Sequence, residues 1–467
     1  MQPTTSRTLP TITCDGTGVV SHAGTVLLAE LADRIGLTAL LNEATGGLRE
    51  SRAGHDPGRV LVDVAVAIAD GAVSISDVQA LADQQGLHGP AGSVALTTTI
   101  RRVLAGIDLA MLASIRLARA TARDRAWTAR GELTGTELPG SRAAVKSIEE
   151  VVIDLDTTLV TAHSDKDDAK GSFKGGFGHH PLRAWLDNTN EALAMLLRPG
   201  NAGRNAAADH LLIVDHALTQ IPELWRSMKV LIRADGAGYS HALPARFRRR
   251  GWTSPSATRS PKRSAMPSRS SPPTPGPRRT TPTAPCVSTP TSSRSPACST
   301  SAAGPARVPG CASSSAASTR TPARRWTRSR SATATATKRS PPTPPAGHSR
   351  SWRHAIARTP VSRTGSPTGK DTGIGHLPSR HAHINTVWIE LALIAADLLT
   401  LAQSMLLTDE PDLYRAEPKT LRDRLLHIAA RITRGQRKVF LRLAEHWPWA
   451  LALARAFGRL RQIPLPA

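Results

Sequence analysis

The chain has 467 residues, and its 60 Lys and Arg against 36 Asp and Glu give a net charge of +24. That length predicts about two to four domains with ample core. Its four cysteines, Cys14, Cys286, Cys298 and Cys311, form no CxxC pair, which argues against a zinc framework or a disulfide scaffold and fits a reducing cytoplasm.

The charge resembles a nucleic-acid footprint, but it is localised. Residues 244–369 hold 23 of the 60 Lys and Arg and no Asp or Glu, so the remaining 37 bases face all 36 acids. The first sixteen residues, MQPTTSRTLPTITCDG, have no apolar core and do not read as a signal peptide. Residues 1–20 read as a loose strand or arm. In residues 25–36, Leu27, Leu28, Leu31 and Ile35 share one helical face, which stops at a glycine. A loop is expected next. Asp56 and Pro57 then start a helix, as cap and first residue, that ends at Gly71. Residues 76–82 predict a short helix, a Gly/Pro turn spans 86–92, and 97–105 form another helix. This pair has the outline of a helix-turn-helix, with Thr97 or Thr98 as candidate cap and Arg101 and Arg102 as candidate phosphate contacts. Any small helical bundle gives the same outline. An Ala/Leu/Arg-rich helix follows over 108–130, then a linker over 131–146.

Residues 151–159, VVIDLDTTL, open as a buried strand. Asp154 and Asp156 lie two apart and so point to the same face. Two adjacent carboxylates repel, and a bound divalent cation would remove the conflict; otherwise they mark a strand end reaching water. Residues 229–240, KVLIRADGAGYS, repeat the theme, with Asp235 ending an apolar run before Gly236 and Gly238. An Asp-Gly turn alone explains that feature, but two strand-end acids in one domain suggest a carboxylate metal site of the two-metal phosphoryl-transfer kind. Between them stand a polar loop over 164–178, the segment FKGGFGHHPL over 173–182, a strand over 190–198 and a helix over 205–220. His179 and His180 are adjacent, on opposite strand faces, and are not read as a ligand pair. A meander, a helix and a further strand with acids at two strand ends outline an α/β, ribonuclease-H-like fold.

Residues 244–369 are Ser, Pro, Thr, Ala and Arg with hardly any Leu or Ile. They read either as a disordered basic linker or as GC-rich coding DNA translated out of frame. Trp252, Trp326 and Trp352, scattered without period, favour the second. Order resumes at Lys370. The apolar stretch 387–407, interrupted by Glu390 and Asp397, reads as a buried helix rather than a membrane span. Further helices are expected over 420–433 and 439–444.

Taken together, IDLDTTLV, FKGGFGHHPL, LIRADGAGYS, TGKDTGIGHLPSR and NTVWIELALIAADLL resemble the DDE transposases of bacterial insertion sequences, and most of all the insertion-sequence family numbered thirteen-eighty. The resemblance covers residues 20–243 and 370–460. It implies a ribonuclease-H-like core, two Mg²⁺ ions, and cleavage and strand transfer at element ends. By motif position Asp156 matches the first acid, with Asp154 as the lesser candidate, and Asp235 matches the second. Lys370 matches the family's DNA-contacting lysine. The third acid is a Glu seven residues before it, where this chain has Arg363. The peptide PVSRTGS around it can be encoded so that a shifted frame reads Val-Glu-Asp-Arg-Ile. Glu390 is the fallback third acid.

The organisation expected is a helical, DNA-binding N-terminal domain over 1–145, the first part of the core over 146–243, the basic insert over 244–369, and a helical C-terminal part of the core over 370–467. The partners expected are double-stranded DNA, as element repeats and target, and a second copy of the chain, in a nucleoid-associated setting without a membrane. A non-catalytic DNA-binding protein and a nuclease of the same fold are the competing readings.

Overall fold

The computed structural model describes residues 14–234, apart from 50–53, 85, 91, 144–145, 149, 164, 173, 204–205 and 227–229, and then 356–357 and 370–466. The chain divides into a unit of Met1–Arg259 with Arg350–Ala467 and a second unit, Ser260–Ser349, which lies wholly outside the described residues.

The first unit opens with strand β1 (Val19–Val20) and helices α1 (Thr25–Arg34) and α2 (Leu37–Ala44). The loop expected after residue 36 is thus a helix. Gly36, at φ 75°, turns the chain, and LTALLNEA then supplies good helix formers that bury Leu37 and Leu41. Helix α3 (Pro57–Asp70) starts at Asp56 with Pro57 in its first turn and ends on Gly71 at φ 118°, as the sequence predicts. A turn at Ile75–Val78, α4 (Gln79–Ala82), α5 (Thr97–Gly106) and the long α6 (Leu109–Thr134) follow. The cap of α5 is Leu96, with no side-chain bond, so neither Thr97 nor Thr98 caps it. Asp108 caps α6 by accepting from the Met111 N–H.

Strands β2 (Ser141–Ala143) and β3 (Lys146–Ile148) pair as a ribbon. Then come β4 (Val151–Thr157), β5 (Val160–Thr161), β6 (Lys170–Gly171), β7 (Phe177–His179), β8 (Leu182–Leu186) and β9 (Glu191–Leu196). Helices α7 (Ala207–Thr219) and α8 (Glu223–Arg226) lead to β10 (Val230–Ala234). Of residues 244–369, only β11 (Ile356–Ala357) is described.

The main sheet has the order β11-β10-β4-β8-β9. Strands β4, β8 and β9 form an antiparallel meander, while β10 runs parallel to β4 and β11 parallel to β10. Along β4 the side chains alternate. Val151, Ile153 and Leu155 share an apolar core with Ile213, Val214 and Ala217 of α7, and Asp154 and Asp156 stand on the other face. The β5-β7-β6 sheet sits beside the end of β4.

After a turn at Lys370–Ile374 comes α9 (Ala382–Leu401). The apolar stretch Ala382–Leu406 is long enough to cross a membrane, but 89% of its most apolar window is buried inside the protein, as expected for a core helix. It shares one large core with α1, α2, α3, α5 and α6. Helix α9 packs against α3 and β9. The helix expected over 420–433 is present in its first part, as the helical turns Pro418–Leu421 and Arg422–Leu426, while its end and the helix expected over 439–444 are instead a hairpin, β12 (Ala430–Gly435) and β13 (Lys438–Leu443), joined by Gln436 and Arg437 at φ 50° and 60°. Two successive positive φ values make the tight turn whose twist suits a hairpin. Its β-branched and aromatic residues Ile432, Thr433, Val439 and Phe440 favour strand over helix. Strand β1 adds to this hairpin antiparallel to β12. The chain then ends in α10 (Ala450–Leu460).

Candidate active site at the end of strand β4

The register places an arginine against each acid of β4. Asp156 lies directly opposite Arg183 on β8, and Arg233 on β10 lies opposite Asp154. Arg233 Nε donates to Asp154 Oδ1 at 2.5 Å and its Nη2 to Oδ2 at 2.7 Å. The same Nη2 lies 2.7 Å from Asp187 Oδ1. Arg183 Nη2 donates to Asp156 Oδ2 at 2.5 Å. Like-charge repulsion along β4 is therefore relieved by two guanidiniums. Protein side chains thus relieve the repulsion that the sequence reading assigned to a bound cation, and this pairing leaves one oxygen of Asp156 uncommitted to arginine.

The two acids differ in what this leaves. Asp154 is buried and gives both oxygens to Arg233. Burial, with Asp187 and Asp156 nearby, still pushes its carboxyl above the usual range against the pull of Arg233. Asp156 gives one oxygen to Arg183, and its side chain remains 28% exposed. Arg183 is fully enclosed, and burial lowers its pKa although Asp156 pulls it back up. Asp156 lines a cavity of about 510 Å³ with Thr158, Ser172, Lys174, Gly176 and His180. Asp154 is not among the lining residues.

The cavity wall depends on one close approach. A Cβ on Gly178 would stand 2.1 Å from the Val160 carbonyl oxygen, so only glycine lets β7 lie against β5. His179 and His180 are buried, and each bonds a backbone carbonyl, of Asp167 and Ala202, at 3.1 Å. His179 thereby ties β7 to the loop at Asp167, and His180, which also lines the cavity, ties to the loop at Ala202.

The other sequence-derived residues fall as follows. Strand β10 ends at Ala234, paired with Leu155, while Asp235, the next residue, lies outside the described residues, as does Arg363. Lys370 opens the turn before α9, but its side chain is outside what is described. In that turn Gly373 has φ 77°, and a Cβ there would stand 2.8 Å from Ile68 Cγ2, which explains a glycine in TGKDTG. Arg101 and Arg102 are exposed on α5.

Glu390 has a different role from that of a fallback metal ligand. It is buried in α9, 2.9 Å from Arg119 and 3.1 Å from Arg116. It belongs to a buried network that sequence reasoning missed. Arg119 and Arg123 of α6 also reach Asp397 of α9, at 2.8 and 2.5 Å, and Arg123 and Arg130 reach Glu191 of β9, at 2.8 and 3.1 Å. Burial raises the Glu191 pKa, but Arg130 and Arg123 outweigh it and hold the carboxyl below the usual range. The available signal was the spacing of Arg116, Arg119, Arg123 and Arg130 along one helix, with two acids inside an apolar one.

A hard cation takes carboxylate oxygens. Of the two acids on β4, only Asp156 offers a cavity-lining carboxylate with an oxygen not committed to arginine.

No curated protein matches the chain. The family described as Transposase DDE domain group 1 matches residues 3–254 and 368–465, most of the chain, and the stretch it leaves out falls within the acid-free segment 244–369. With its strand-end acid beside a cavity and this match on both sides of the basic segment, the chain belongs to the transposase DDE domain family, group 1.

Proposed function

We propose that this chain is a transposase of an insertion sequence of family thirteen-eighty, with a ribonuclease-H-like core, in a copy that lacks its third acid and is inactive as written. The observation that carries this reading is the end of β4. Asp156 lines an open cavity there, and parallel β10 ends at Ala234, whose partner Leu155 precedes Asp156 and whose successor in the chain is Asp235. The strand order, a meander followed by two strands parallel to its first, supports the ribonuclease-H-like core.

In this reading Asp156 and Asp235 hold divalent metal, which the family typically uses. Such ions supply activation of a water or 3′-hydroxyl and stabilisation of the leaving oxygen. Arg183 orients Asp156 by fixing Oδ2. Lys370 contacts DNA phosphate, and Arg101 and Arg102 contribute phosphate contacts from α5. A second copy of the chain and the element's terminal repeats complete the assembly, at the nucleoid. Arg363 at the third-acid position puts a cation where carboxylate is needed, which removes catalysis but not DNA binding. The gap in the family match supports a frame-shifted segment between the two matched parts.

The test compares cleavage of labelled element ends by three proteins with Mg²⁺ present: the chain as written, a version with the frame restored across residues 244–369, and the restored version carrying Asp156→Ala. Cleavage is expected only from the restored protein, because carboxylates that hold the metals act as a unit. Equal cleavage by the original and restored chains would show that position 363 is not the third-acid position. Binding of ends by all three, with no cutting by any, would favour the non-catalytic DNA-binding reading. Cutting without joining would favour a nuclease.

A further inference from the structure

Far from Asp156 in sequence, three side chains converge where the first unit's two ends meet. His22 follows β1, Asp70 is the last residue of α3, and His427 precedes β12. Nδ1 of His22 lies 2.6 Å from Asp70 Oδ2, and Nε2 of His427 lies 3.1 Å from Asp70 Oδ1. One ligand-capable atom from each residue lies within 4.8 Å of the others, and the two imidazole centroids are 4.5 Å apart.

A hydrogen-bonded His-Asp-His cluster accounts well for the 2.6 Å contact and less well for the 3.1 Å one. The Asp70 side chain is 94% buried, and His427 Nε2 is shared between Asp70 Oδ1, at 3.1 Å, and the Asp70 backbone carbonyl, at 3.2 Å, with poor hydrogen-bond geometry to Oδ1. An ionised buried carboxylate oxygen without a well-aligned donor is costly. Two imidazoles therefore present nitrogens to one buried carboxylate, one to each oxygen.

We propose that His22, Asp70 and His427 form a site for a borderline transition-metal dication, Zn²⁺ by ligand type, that fastens the N-terminal segment and α3 to the C-terminal hairpin. Imidazole nitrogen with one carboxylate is a zinc donor set, with bonds of about 2.0–2.2 Å, whereas Mg²⁺ takes oxygen. One donor atom from each of the three residues lies within 4.8 Å of the others, and rotation of the imidazoles away from their present 2.6 and 3.1 Å contacts with the carboxylate opens the space an ion needs. Water takes the fourth position, because His22 and His427 are 26% and 37% exposed. The segments being fastened already touch: Ala23 N–H donates to the Ile428 carbonyl and Gly24 N–H to that of Leu426, both at 3.1 Å. Arg422 extends the junction by donating to the Ala69 carbonyl at 2.6 Å and to that of Asp371. The site thus braces the turn that begins at Lys370. It is independent of the reaction proposed at Asp156.

The test uses the full chain stripped with chelator and titrated with Zn²⁺, with Co²⁺ as a spectroscopic substitute and Mg²⁺ as the control. The wild-type chain should bind one equivalent of Zn²⁺ more than His22→Gln/His427→Gln. Its melting temperature should rise with Zn²⁺ by more than that of the double variant, while Mg²⁺ shifts both proteins alike, and Co²⁺ should give tetrahedral visible absorption that the double variant lacks. The same stoichiometry and melting shift in both proteins would overturn the proposal. Should the double variant fail to fold, His427→Cys decides. A thiolate-to-Co²⁺ charge-transfer band beyond any given by the wild-type cysteines supports the site, and a spectrum identical to wild type refutes it.

Discussion

Two clusters of arginines and acids in this protein are built differently. Between α6, α9 and β9, Arg116, Arg119, Arg123 and Arg130 meet Glu191, Glu390 and Asp397, and all three acids are buried and engaged by guanidiniums. At the end of β4 the same chemistry is left incomplete. Arg233 closes Asp154, but Arg183 takes only one oxygen of Asp156, which lines a cavity of about 510 Å³. Saturation marks a structural acid, and partial saturation at a cavity marks one available for chemistry. Buried ion pairs add little net stability compared with apolar packing, yet breaking one is expensive. The closed cluster therefore serves to fix how α6 and α9 sit on β9.

The comparison is sharpest when one arginine is removed from each side. Arg119→Ala leaves Glu390 with Arg116 and Asp397 with Arg123 as their remaining guanidiniums and removes donors from buried carboxylate oxygens and from two backbone carbonyls of β9, and unfolding by denaturant should show a loss of about 3–5 kcal/mol. Arg183→Ala should cost less, about 1–3 kcal/mol, because Asp156 reaches water once released. Equal losses would mean that the strand-end pair is as structural as the helix network.

A second way to probe buried acids is pH. Burial pushes the Asp63 carboxyl of α3 up to about 7, with Arg59 pulling it down and Asp33 adding to the rise. Its folded pKa thus exceeds its unfolded value, so the folded state holds the extra proton between about pH 4 and 7. Stability should fall as pH rises through that window, by up to about 1.4 kcal/mol per unit, and level off above it. Asp63→Asn should flatten this slope and raise the melting temperature at pH 8. A variant with the wild-type slope would place the titration elsewhere.

The smallest effect on stability belongs to the exposed pair on α5. Arg101→Ala/Arg102→Ala should change unfolding free energy by less than about 0.5 kcal/mol. DNA affinity should fall, and the slope of log affinity against log salt should become shallower by roughly 2. An unchanged slope would remove these arginines from the DNA-contacting surface.

Much of the fold was legible because periodicity reports burial. The α3 start at Asp56-Pro57, α1, the apolar α9 and the strands around Asp154 and Asp156 are where the pattern puts them. The C-terminal hairpin was read as helix because short apolar runs carry either period. Its choice of strand rests on pairing with β1, more than 400 residues away in the chain. Glu390 was read as a possible ligand because an acid inside an apolar helix has no visible partner in sequence, and Arg119 lies 271 positions away.

By itself the sequence determined that β4 carries two acids on one face, that glycines sit where FKGGFGHH and TGKDTG turn, and that one basic stretch differs from everything around it. Those features are local, set by side-chain alternation and backbone sterics. Tertiary structure alone decided which acid is spent and which is open. Strand register sets Arg233 beside Asp154 and Arg183 beside Asp156, and chain folding brings His22 and His427 to Asp70. Electrostatic partnership depends on distances of a few ångströms between residues that chain order keeps far apart, so no local pattern could contain it.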